Sequence, residues 1–250
     1  MSLCKHCVSG VRHEGTPEGK FEEIGGVRCY VATPTVDYPK DKAVLYLTDI
    51  FGIDLPNHQL LADDYAKNGF KVIVPDILNN DPAPFDALNP GSSWDFMAWL
   101  GKHGGETVLP VLDKVVPALQ SSGITKLAAL GYCYGARPAF DLAFINTVSV
   151  VVVSHPSLLQ VPDDIEKYKA VSKAPLLINS CEIDMMFPAE AQTATDKILG
   201  GGAFAPGYER TYWDGCTHGF SVRGDLSNPK VKAGKEGVFK ASVEFLIKHL

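Results

Sequence analysis

Gly131-Tyr132-Cys133-Tyr134-Gly135 is the segment of this chain whose residue types and spacing most directly suggest chemistry. The pattern G-x-C-x-G sets a thiol between two glycines. An apolar run, Lys126-Leu127-Ala128-Ala129-Leu130, precedes it, and residues 136–146 have helical composition, so the order is strand, sharp turn, helix. A side chain at such a turn projects from the strand's end, and glycines on either side avoid the clash that a Cβ would cause. That placement suits a nucleophile, here Cys133 attacking a carbonyl carbon. A buried small hydrophobe is the commoner fate of a free cysteine, but the paired glycines tell against it.

A thiol nucleophile needs a histidine to share its proton and a carboxylate to orient that histidine. In α/β-hydrolases, whose G-x-S-x-G turn this pattern resembles, the acid follows a later strand and the histidine lies near the C-terminus. Asp184, in Cys181-Glu182-Ile183-Asp184, follows the apolar run at residues 176–179 and fits the acid. His218, in Gly215-Cys216-Thr217-His218-Gly219-Phe220, fits the base. Glu182 is the alternative orienter if the strand ends earlier. His155, in Ser154-His155-Pro156-Ser157, also stands at a strand end, either lining the pocket or hydrogen-bonded within its turn. His6, His13, His58, His103 and His249 fall in terminal or helical contexts and read as surface residues.

The elements that must position these groups are apolar runs of strand length alternating with longer amphipathic stretches. Residues 28–33 and 43–48 read as strands joined by a polar, proline-bearing turn at 34–41, an opening hairpin. Residues 57–68 read as a helix ending at Gly69, and 70–74 as a strand stopped by Pro75. Strands follow at 127–130, 148–153, 176–179 and 208–213; the 148–153 and 176–179 runs are continuously apolar, as strands covered on both faces are. Residues 106–119 form a helix with Val108, Leu109, Val111, Leu112, Val115, Val116 and Leu119 on its apolar side, and 234–250 close the chain as another. This alternation predicts an α/β fold: a mostly parallel, doubly wound sheet with helices on both faces, in a single domain over residues 1–250. Residues 79–104 fit no element. Pro82, Pro84 and Pro90 precede Trp94, Phe96, Met97 and Trp99, giving an irregular excursion and a short helix, either a binding lid or an aromatic cap on the sheet.

With 250 residues, 46% hydrophobic and 21% charged, the chain can bury a full core. A net charge of -6 and the lack of any block of Lys or Arg exclude a nucleic-acid surface and favour a small-molecule partner. No apolar run approaches a membrane span and the N-terminus has no h-region, so the chain reads as soluble and cytoplasmic, with no membrane partner. Cysteines at 4, 7, 29, 133, 181 and 216 are too sparse for a disulfide framework and are expected reduced. Cys4-Lys5-His6-Cys7 lacks a second pair at zinc spacing, so no metal or cofactor is expected.

Taken together, Gly131-Tyr132-Cys133-Tyr134-Gly135, Asp184 and His218 resemble the Cys-Asp-His triad of the dienelactone hydrolase family. Thr48-Asp49-Ile50-Phe51-Gly52, Val74-Pro75-Asp76 and His218-Gly219-Phe220 followed by Arg223 extend the likeness over nearly the whole chain. The resemblance implies an α/β-hydrolase fold and hydrolysis of a lactone or ester through a thioester on Cys133, the parent reaction opening an enol-lactone to maleylacetate. It also implies an oxyanion hole from the backbone N–H groups of Tyr134 and Ile50. Bacterial members carry glutamate where this chain has Asp49. Asp49 either reaches Cys133 or only orders the oxyanion loop, and a structural role capping the turn before Gly52 fits equally. Those members also clamp a substrate carboxylate with two arginines. Arg223 stands near one such place, but no arginine lies between Arg28 and Arg137, where Trp94, Phe96 and Trp99 stand instead. An aromatic pocket suits a larger, less charged ester, lactone or polyketide-like substrate. A thioesterase or acyl-transfer enzyme is the alternative, and a non-catalytic binder a further one.

Overall fold

The computed structural model describes residues 10, 11 and 14–250. The Cys4 and Cys7 pair, His6 and His13 lie outside the described residues. Eight strands, β1 (Lys20–Ile24), β2 (Val27–Ala32), β3 (Lys42–Leu47), β4 (Val72–Pro75), β5 (Lys126–Tyr132), β6 (Val150–Ser154), β7 (Leu176–Ile183) and β8 (Tyr208–Thr217), form one sheet in the order β1-β2-β4-β3-β5-β6-β7-β8. From β4 to β8 all neighbours run parallel. β2 is antiparallel to both β1 and β4.

The central strands are continuous β-branched or aliphatic runs because both of their faces are covered. In β3, Ala43, Leu45 and Leu47 enter one core layer while Val44 and Tyr46 enter the other. The first layer is closed by α3 (Gly105–Ser121), α4 (Ala136–Phe144), α5 (Asp163–Val171) and α6 (Ala189–Leu199). The second is closed by α1 (Pro56–Lys67) and α8 (Pro229–His249). Two short helices, α2 (Phe96–Leu100) and α7 (Phe220–Arg223), stand near the strands' C-terminal edge. Within α3, Leu109 is solvent-exposed rather than on the buried face, a consequence of its offset from the Val108, Val111, Leu112, Val115 stripe.

The expected opening hairpin does not form. β4 lies between β2 and β3, pairing Cys29 with Pro75 and Ala32 with Val72 on one side and Val44 with Val72 on the other. The reason lies in β3: Ala43 to Leu47 are buried, so both edges of the strand are paired inside the sheet, and the α1 crossover returns β4 to one of them. The hairpin that does form joins β1 to the other edge of β2, and its Lys20-Phe21-Glu22-Glu23-Ile24 is mostly exposed and charged, as an edge strand tolerates.

Candidate active site

The C-terminal ends of β3, β5, β6, β7 and β8 meet at one edge of the sheet, where open parallel sheets place their ligand crevices. Five turns deliver the side chains. After β5 the chain bends sharply, and Cys133 takes φ 50°, in the left-handed region where a residue with a Cβ is strained. The two glycines are steric requirements of this bend. A Cβ on Gly131 would lie 2.5 Å from the Gly135 carbonyl oxygen, and one on Gly135 would overlap the Leu47 carbonyl oxygen of β3.

After β7, Asp184 is buried with Oδ1 accepting from Met186 N at 2.8 Å and Phe187 N at 3.1 Å. The same oxygen lies 2.8 Å from His218 Nδ1, which arrives on the turn after β8. Glu182 points elsewhere: it is exposed and accepts from Gly215 N at 2.7 Å. On the other side of the imidazole, Nε2 lies 3.4 Å from Ser157 Oγ, and Ser157 Oγ lies 3.3 Å from Cys133 Sγ. Burial favours neutral His218, but its hydrogen bond to Asp184 and its contact and charge interaction with Cys133 outweigh that, raising its pKa to about 10.

His155 sits behind His218 rather than on the cleft wall. Its ring centroid is 5.0 Å from that of His218, and Nε2 lies 2.7 Å from Ser221 Oγ. Full burial and then the nearby His218 push its pKa well below the ordinary histidine value, so it stays neutral. The expected surface positions of His58 and His103 are corrected as well: both are buried. His103 stacks flat on Trp99 at 3.9 Å, and His58 is drawn in by a carboxylate.

That carboxylate is Asp49, at the end of β3. Oδ1 accepts from Phe51 N at 2.9 Å, closing the turn before Gly52, and lies 2.8 Å from His58 Nε2. Oδ2 accepts from Arg223 Nε at 3.1 Å. These three, and not Cys133, are the partners of the carboxylate. Burial opposes its charge, but His58, Arg223 and the Phe51 amide win and hold it well below the usual carboxylate range. Tyr46, whose hydroxyl lies 2.7 Å from His58 Nδ1, completes the buried series. Arg223 also lies over the Phe51 ring, with Cζ 4.4 Å from its centroid.

Ile50, Leu88, Phe96, Leu100, Tyr134, Leu158 and Met186 line a cleft with Cys133, Ser157, His218 and Arg223, about 650 Å³ of empty space out to solvent. Ile50 N has no acceptor among the described residues, and Tyr134 N stands in the first turn after Cys133, where amides have no partner in their own helix. Residues 79–104 contribute side chains both to the cleft and to the core. Leu88, Phe96 and Leu100 face the cleft, while Trp99 is buried at 5.6 Å from the Tyr134 ring and donates its Nε1–H to Asp81 O at 2.8 Å. Trp94 is displaced from its expected place: it packs on Phe96 and Trp99 at 5.9 and 5.8 Å instead of lining the cleft. Ser157 was legible only through its position, in the turn after a strand of the parallel sheet.

A mostly parallel eight-stranded sheet of this order with helices on both faces is an α/β-hydrolase fold. Residues 27–250 match the model of the Dienelactone hydrolase family, and the chain belongs to that family. It is a hydrolase of the ester or lactone kind. Hydrolase pyvD of Aspergillus violaceofuscus is 31% identical over 249 residues, covering 98% of this chain and 96% of that protein. A carboxymethylenebutenolidase homolog of Mus musculus is 29% identical over 220 residues, covering 87% and 85%. Among solved structures, a dienelactone hydrolase-like promiscuous phosphotriesterase from metagenomic libraries shares the fold, with a TM-score of 0.65 at 17% identity over 94% of this chain and 98% of that one. No helix of the described residues is long and apolar enough to cross a membrane.

Proposed function

We propose that this chain hydrolyses a lactone or ester through a thioester formed on Cys133. The observation that carries the reading is the unbroken series of polar contacts from Cys133 Sγ through Ser157 Oγ to His218 and Asp184, opening on an apolar cleft. His218, held protonated by Asp184, pairs with the Cys133 thiolate. Sγ attacks the carbonyl carbon, and the carbonyl π electrons move onto oxygen. That oxyanion is received by the N–H groups of Tyr134 and Ile50, donors of a kind that contribute about 10²- to 10³-fold each. Collapse of the tetrahedral species breaks the ester C–O bond, and the leaving oxygen takes the His218 proton. Neutral His218 then removes a proton from water as it attacks the thioester. The acid product leaves and the thiolate returns.

Arg223, aimed by Asp49 through Nε, offers its remaining N–H groups to a polar oxygen of the substrate. The rest of the lining is aliphatic or aromatic, which supports a substrate larger and less charged than a small dicarboxylate. A panel of lactones, esters and thioesters assayed with wild type, Cys133→Ala and His218→Ala tests the reading. Hydrolysis by wild type with loss in both variants is expected; full activity in either variant overturns it. Preference for thioesters over oxygen esters would redirect the substrate class to thioesterase chemistry on the same residues.

A further inference from the structure

Among the described residues, Ser157 is the one polar group that hydrogen-bonds to both partners of the proposed thiolate–imidazolium pair. Its Oγ lies 3.3 Å from Cys133 Sγ and 3.4 Å from His218 Nε2, and the residue is only 4% exposed. Its placement is fixed by the backbone. Ser157 N donates to the Cys133 carbonyl oxygen at 3.0 Å, and the next residue, Leu158, has φ 64°, so the turn after β6 is held against the turn after β5. No other acceptor or donor competes for this hydroxyl among the described hydrogen bonds.

We propose that Ser157 is a catalytic residue of the same reaction: its hydroxyl relays the proton between Cys133 Sγ and His218 Nε2 and then holds the thiolate by hydrogen bonding. This rests on Cys133 being the nucleophile. A hydroxyl is donor and acceptor at once, which is what a relay requires. In the neutral arrangement the Cys133 S–H donates to Ser157 Oγ and the Ser157 O–H donates to His218 Nε2. The thiol proton moves to Oγ as the hydroxyl proton moves to Nε2, so one proton is gained at the imidazole and one lost at sulfur. In the resulting pair His218 Nε2–H donates to Oγ and the Ser157 O–H donates to Sγ. Both arrangements use every polar hydrogen, and the paired transfer of two protons joins them with no turn of the hydroxyl. The ring nitrogen on the far side, Nδ1, is occupied by Asp184 at 2.8 Å and takes no part.

The test is the pH dependence of Cys133 alkylation by iodoacetamide, measured with the background from the other five cysteines controlled by Cys133→Ala. Ser157→Ala is expected to shift the alkylation midpoint upward and to slow acylation by p-nitrophenyl acetate about tenfold to hundredfold, the loss of a hydrogen bond to a charged group. Ser157→Thr, which keeps a hydroxyl, is expected to restore much of the wild-type midpoint. If Ser157→Ala does not fold by circular dichroism, Ser157→Gly makes the same deletion. A deletion variant whose alkylation profile and acylation rate match wild type overturns the relay while leaving the Cys133 mechanism standing. Retained hydrolysis in Cys133→Ala overturns the mechanism itself, a distinct result.

Discussion

Asp184→Asn isolates the charge that holds His218 protonated, because the fold around it need not change. Met186 N and Phe187 N both donate to Asp184 Oδ1, so an asparagine carbonyl oxygen would occupy the same place and still accept from His218 Nδ1. What is lost is the negative charge. The pKa of His218 rises from 6.5 to about 10 in the folded chain despite burial. That rise corresponds to roughly 5 kcal/mol of preference for the imidazolium, at about 1.4 kcal/mol per unit. Asp184 shares the effect with Cys133, and 23% of the His218 side chain is exposed, so solvent screens part of it. The charge interaction with Asp184 is the smallest of the causes that raise the pKa, and the hydrogen bond is kept, so removing the charge is worth about 1 to 2 kcal/mol, or about a 5- to 30-fold fall in kcat/KM. NMR titration of the His218 ring, alongside ester hydrolysis, reads both consequences. A ring that deprotonates at the wild-type pH in Asp184→Asn, or a loss under about threefold, would refute the assigned role.

Three further outcomes follow from particular contacts. Thermal stability should fall on both sides of neutrality. Neutral, buried His155 resists the proton that the unfolded chain takes up below pH 6.5, so stability drops as pH falls below that value, and Asp49 adds a further loss below 3.8. His218 acts in the opposite sense: its contribution is complete below 6.5 and disappears as pH rises toward about 10, so His218→Gln should flatten the alkaline limb of a Tm–pH curve. Gly135→Ala forces a Cβ onto the Leu47 carbonyl oxygen and should cost about 2 to 4 kcal/mol in urea unfolding, against an unchanged midpoint if the close approach is unimportant. Arg223→Gln should raise KM for carboxylate-bearing esters about tenfold or more while sparing neutral ones; equal losses on both would remove its role as the substrate's polar anchor.

Much of the candidate site was legible in the sequence because its residues stand in short segments that follow strands. Cys133 announces itself by the glycines its turn demands, and Asp184 and His218 stand directly after β7 and β8, where chain order alone finds them. His58 was hidden because nothing local says that a histidine at the start of α1 faces inward. Its burial is set by Asp49 nine residues earlier and Tyr46 on β3, partners known only once the helix is packed. Ser157 was hidden for the same reason: a serine after β6 gains meaning from two groups on the turns after β5 and β8. The strand order of β2, β4 and β3 was misread because a polar turn between two apolar runs looks like a hairpin until the edges of the central strand are counted. Composition points to Trp94, Phe96 and Trp99 alike as pocket residues, yet of the three Phe96 lines the cleft, since which aromatic faces inward depends on where α2 starts.

The central claim is that Cys133 carries the acyl group. Mixing the protein with p-nitrophenyl acetate at a pH where deacylation is slow, quenching in acid and mapping the acetyl group by peptide mass spectrometry tests it directly. The expected result is a burst of p-nitrophenol matched by one acetyl group on the Cys133 peptide, labile to hydroxylamine as a thioester is, and absent in Cys133→Ala. An acetyl group on another residue, or a burst of the same size in Cys133→Ala, would contradict it.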